Sequence, residues 1–128
     1  MIFVVGGSFN NKVEFVLKKF NLSLDQVYDS KDLQNYRDER VINNFHEIVK
    51  KLFFKGKSLE EIIYVVDELL KREDLIIISD EIGYGIVPIN KEDRLFREVN
   101  GRVSCYIAKK ADEVFRVMYG IGNRIKGE

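Results

Sequence analysis

Two uninterrupted apolar runs most constrain what this chain can fold into: Ile2, Phe3, Val4 and Val5, and Leu75, Ile76, Ile77 and Ile78. Neither alternates apolar with polar positions, so neither suits a sheet with one face in water. Each suits a strand covered on both faces, as in a parallel sheet between helical layers. Helical spacing fills the chain between them. Residues 12–20 carry Val13, Val16, Leu17 and Phe20 on one face. Residues 21–30 read as a connection with a short strand near Val27 and Tyr28. Residues 32–54 read as one long helix, with Leu33, Tyr36, Val41, Ile42, Phe45, Ile48, Val49, Leu52 and Phe53 in a broad stripe and Gly56 as its stop. Ser58 and Glu61 form a capping box for a helix over residues 58–72. Residues 91–111 read as a further helix, 114–118 as a third strand and 120–127 as a tail. The expected order, β-α-α-α-β-α-β, describes a three-layer α/β domain with a mainly parallel sheet, a single domain over residues 1–128.

The charge balance narrows the partners. Acidic and basic residues number 21 each, which provides no general positive potential for nucleic acid or an anionic membrane. With 45% hydrophobic residues the chain is expected to bury a core rather than stay disordered. One cysteine excludes an intrachain disulfide. With no secretory signature or membrane-spanning apolar run, a cytoplasmic setting is expected.

Three stretches have the pattern of a chemical site. In the first, VVGGSFNNKVEF, a strand runs into Gly6-Gly7, with Lys12 at a helix start. A phosphate loop works by surrounding an anion with backbone N–H groups and a helix N-terminus, glycines allowing close approach and a lysine neutralising the phosphates. Gly6, Gly7, Ser8, Asn10, Asn11 and Lys12 are the candidate phosphate-binding residues. Asn11 replaces the last glycine of the pattern, and asparagine tolerates φ > 0. Val13 stands where a Ser or Thr would hold Mg²⁺, and Phe9 adds bulk. Without a ligand the same stretch is a strand–turn–helix corner with a solvated lysine. In the second stretch, DLIIISDE, a buried strand ends at Asp80, a candidate metal ligand, and Glu81, a candidate catalytic acid; acids also cap the loop after any such strand. The third, beginning EIGYGIVPINKEDR, places Gly83, Gly85 and Pro88 beyond a strand's C-terminal end, where open α/β sheets bind ligands, with Arg94 following. His46, the only histidine, is expected at a helix boundary, and Cys105 is expected as a small buried hydrophobe.

The third stretch resembles the adenosylcobinamide kinase/adenosylcobinamide-phosphate guanylyltransferase family. Glu81, Gly83, Gly85, Ile86, Val87, Pro88, Arg94, Phe96, Arg97, Gly101, Ala111, Asp112, Glu113, Val114, Gly120 and Ile121 follow that family's pattern in order. Gly6, Gly7 and Lys12 match its opening. The resemblance implies a phosphate-loop fold and homo-oligomers, trimers by habit, with sites between subunits. It implies that a nucleotide phosphorylates a corrinoid, after which GTP delivers GMP through a guanylylated histidine, assisted by Mg²⁺. The departures are Asn11, Val13, Asp80, Ser104, Cys105 and a shortened middle. His46 is the chain's one candidate for that histidine, but a register matched on Arg40 puts Asn44 in its place. The reading carried forward is a nucleotide- or phosphate-binding homologue with lost or reduced catalysis. An active kinase/guanylyltransferase using Mg²⁺ with GTP or ATP is the alternative, and an interaction protein on the same scaffold a further one.

Overall fold

The computed structural model describes residues 1–82 and 90–127. Both apolar runs are central strands of a six-stranded sheet. β1 (Ile2–Gly6) and β4 (Ile76–Asp80) pair in parallel, and the full order is β2-β3-β4-β1-β5-β6. β2 (Val27–Tyr28), β3 (Val41–Ile42) and β5 (Glu113–Met118) are also parallel to their neighbours. β6 (Ile121–Lys126) alone is antiparallel, on β5. The fold is α/β with a mostly parallel sheet.

Strand alternation divides the core in two. Val4, Ile76, Ile78 and Val117 pack with Val16 of α1 (Lys12–Lys19) on one face. Phe3, Ile77 and Val114 pack on the other against α2 (Phe45–Phe54), α3 (Leu59–Leu70) and α4 (Lys91–Lys110), through residues such as Ile48, Ile62 and Val103. Each fully buried Ile or Val contributes roughly 1.5–3 kcal/mol. The capping box at Ser58 and Glu61 forms as expected. Among the described residues no helix is long and apolar enough to cross a membrane.

Three expectations are corrected. The long helix over residues 32–54 is not one helix: only Phe45–Phe54 is helical, and Val41 and Ile42 form β3. These two residues are fully buried between β2 and β4. Two branched residues fit a helical stripe and a buried sheet position equally well, and pairing with the strands on both sides decides between them. Asn44, at φ 54°, separates the strand from α2. The tail is β6: Tyr119 and Gly120, both at positive φ, turn the chain back in a two-residue hairpin. Cys105 is exposed, not buried. Val103 and Ile107 hold the buried face of α4, and a residue two positions from each lies on the opposite side.

Gly6 is required by packing. A Cβ there would stand 2.5 Å from the Val117 carbonyl oxygen on β5. Gly6→Ala should therefore lower unfolding stability by about 1–3 kcal/mol through overpacking, measured by urea denaturation. An unchanged midpoint would show that β1 and β5 separate freely.

Candidate functional site

The loop after β1 is shaped by two non-glycine residues. Phe9, at φ 64°, and Asn11, at φ 58°, take the left-handed conformation, whereas Gly6 and Gly7 do not. Asparagine adopts this region more readily than most residues, so Asn11 supplies the turn that the missing glycine would have made. Phe9 is 100% exposed at the lip of the loop. The β5–β6 turn braces the loop from outside, the Tyr119 and Gly120 N–H groups donating to the Asn10 side-chain and backbone oxygens, each at 3.1 Å. No hydrogen bond among the described residues uses the backbone N–H of residues 7–11. A row of such groups ahead of a helix N-terminus is the arrangement that receives an anion.

Lys12 is not a solvated lysine. It is 8% exposed, with its Nζ 2.7 Å from the Gly7 carbonyl oxygen and 2.7 Å from Asp80 Oδ1. The sheet register makes this contact, because Gly6 at the end of β1 lies opposite Asp80 at the end of β4. Ser8 Oγ donates to Asp80 Oδ2 at 2.8 Å. Burial pushes the Asp80 carboxyl up, but the Lys12 and Ser8 hydrogen bonds and the nearby His46 and Lys12 charges outweigh it, leaving the pKa below the ordinary aspartate value.

His46 is buried rather than at a boundary, 7% exposed on the first turn of α2. Its Nδ1 accepts the Asp80 N–H at 3.0 Å. In the neutral ring the proton is therefore on Nε2, which lies 3.5 Å from Asp80 Oδ2 and 3.7 Å from Glu47 Oε1. Burial lowers the His46 pKa, and the Asp80 and Glu47 charges only partly offset it.

A cleft of about 510 Å³ opens over these groups. Ser8, Asn10, Asn11, Lys12, His46 and Asp80 line it together, as do Asn43, Asn44, Lys31 and Glu47, which sequence reasoning did not select. Asn43 and Asn44 donate to the Asp29 carboxylate at 3.2 and 3.0 Å. Their signal is "VINN", two polar residues at the C-terminal end of a buried strand, which the helical spacing of Val41 and Ile42 conceals. Glu81 does not join this cleft. It forms a two-pronged pair with Arg116 at 2.7 and 3.1 Å and lines a second cavity of about 420 Å³. Arg94 is exposed on α4 and lines neither cavity. Gly83, Gly85 and Pro88 lie outside the described residues.

The residues present do not fit a protein-held Mg²⁺. Val13 offers no oxygen, and both Asp80 oxygens are engaged by Lys12 and Ser8. Among the described residues, no three His, Cys, Asp or Glu side chains are grouped to hold a metal ion.

The pH dependence of stability follows from His46. With its pKa lowered on folding, the folded chain binds fewer protons than the unfolded chain as pH falls below the ordinary value of 6.5. Stability is therefore full above that value and declines below it, by at most about 1.4 kcal/mol per pH unit for one group. His46→Gln should flatten chemical-denaturation stability between pH 7 and 5. An unaltered slope would remove this assignment.

Comparison with known proteins bears on the family. Residues 19–125 match the family model described as cobinamide kinase / cobinamide phosphate guanyltransferase. The bifunctional adenosylcobalamin biosynthesis protein CobU of Salmonella typhimurium LT2 is 46% identical over 52 residues, and that of Escherichia coli K12 is 42% identical over 52 residues. Each match covers 41% of this chain and 29% of the relative, so less than a third of each relative's length is matched. With a parallel α/β sheet, a lysine-bearing loop at its centre and a family match over most of its length, the chain belongs to the cobinamide kinase / cobinamide phosphate guanyltransferase family.

Proposed function

We propose that this chain binds a nucleotide or phosphate at the loop of residues 6–12, as a family member in which catalysis is reduced or lost. The observation that carries the reading is the set of backbone N–H groups of residues 7–11, none used in a hydrogen bond among the described residues, beside Lys12 at the start of α1. An incoming phosphate offers Lys12 a second anion in place of Asp80, and the backbone groups supply the remaining hydrogen bonds. A corrinoid is the second ligand that family membership suggests, and a homotrimer the assembly.

Two observations support reduced chemistry. Phosphoryl transfer depends on positioned cations around the transferred group, and Val13 and the engaged Asp80 carboxylate leave poor provision for one. Guanylyl transfer through histidine needs a ring nitrogen with a free lone pair, whereas His46 Nδ1 is occupied by the Asp80 N–H and Nε2 carries the proton. The active-enzyme reading has one observation in its favour: His46 and Lys12 line the same cleft.

Calorimetric titration with GTP and ATP, with and without Mg²⁺, tests the proposal. Wild type should bind one of them with little dependence on Mg²⁺, and Lys12→Ala should weaken binding about tenfold or more, the worth of a charge-assisted hydrogen bond. Absence of binding by wild type would overturn the reading. A covalent GMP adduct, abolished in His46→Ala, would establish the active enzyme instead.

A further inference from the structure

The second cavity carries an inference of its own. It is bounded by β1, β5 and α4, on the sheet face opposite α1, and holds about 420 Å³, within the range of small-molecule sites. Phe3, Val5 and Val114 give it apolar walls. The Glu81–Arg116 pair that also lines it is mutually neutralised by two hydrogen bonds, and Asp80, a further lining residue, is paired with Lys12, so the cavity does not call for a charged ligand.

Asn100 is the buried carboxamide among the lining residues. It lies one turn before Val103 on the buried face of α4 and is 3% exposed. Among the described residues its side-chain amide has no hydrogen-bond partner, yet no side-chain nitrogen or oxygen is sealed from solvent unpaired. The amide therefore meets accessible space, and the cavity it lines is that space. A polar group that faces accessible space is satisfied by water or by a ligand that fills that space, and a carboxamide presents a donor and an acceptor side by side.

We propose that this cavity is a second ligand site, distinct from the loop, for an uncharged ligand of about nucleobase size bearing an amide edge. Asn100 pairs with that edge through two hydrogen bonds, and the apolar walls cover the ligand's faces. A lactam base of a nucleoside and a primary carboxamide share this chemistry. The site stands independently of the loop, because none of its polar contacts involves a phosphate.

Calorimetry with guanosine and with benzamide, neither of which carries a phosphate, tests this on wild type, Asn100→Leu and Lys12→Ala. One or both probes should bind wild type and Lys12→Ala within about twofold of each other and bind Asn100→Leu at least about tenfold more weakly. Binding of guanosine alone names the base as the source, and of benzamide alone the carboxamide. Unliganded Asn100→Leu should unfold at the same or a higher temperature, since no protein hydrogen bond is lost. Ser104→Phe, which fills the cavity from α4 and keeps Asn100, should abolish binding. The proposal is overturned if neither probe binds wild type, if binding survives either cavity substitution, if Lys12→Ala alone abolishes it, or if Asn100→Leu lowers the unfolding temperature. GTP binding retained in Asn100→Leu alongside any of these failures would leave the loop reading intact.

Discussion

The ion pair between Lys12 and Asp80 ties the start of α1 to the end of β4, one of the two central strands. Both charges are largely withdrawn from water, an arrangement that holds only when further hydrogen bonds satisfy the groups. The Gly7 carbonyl and the Ser8 hydroxyl supply them. From this contact the rest of the site follows. It fixes the start of α1 against β4 and draws the loop across the strand ends. The same residue's N–H is given to His46 Nδ1, so the aspartate that holds the lysine also sets the histidine tautomer.

Asp80 also stands where the two cavities meet, lining both. On one side are the loop, α2 and the paired asparagines; on the other are α4 and the Glu81–Arg116 pair. The first cavity is centred on a lysine, whereas the second has apolar walls, one buried amide and a mutually paired Glu81 and Arg116. That division comes from what packs at each place: α1 and α2 at the first cavity, α4 and β5 at the second. Asp80 and Glu81, adjacent in sequence and similar in chemistry, are thereby assigned to different surroundings and different partners.

Much of the fold was legible in local pattern. The runs ending at Gly6 and Asp80, the capping box at Ser58 and the period of α4 each have a single structural solution. Val41 and Ile42 did not, because a two-residue strand is too short for any period to show. β6 gave no apolar alternation, since nearly all of it is exposed, and its turn uses Tyr119 where hairpins usually place Asn or Asp. The tolerance of Asn11 for the left-handed region was legible and is observed, whereas the left-handed conformation of Phe9 was not. Gly6 is there to let β5 approach.

The sequence by itself determined the class of fold, the family and the chemical inventory of the loop, including the absence of a hydroxyl at position 13. These depend on residue identity and short-range spacing, which a chain displays without folding. Tertiary structure alone decided which groups meet. Lys12 and Asp80 are 68 positions apart, and His46 lies between them in sequence, so only strand register and helix packing bring the three within hydrogen-bond reach. The same long-range packing turned Glu81 away to Arg116 and left the Asn100 amide facing a cavity. Such pairings arise from the summed geometry of the sheet and its helices, which no local pattern encodes.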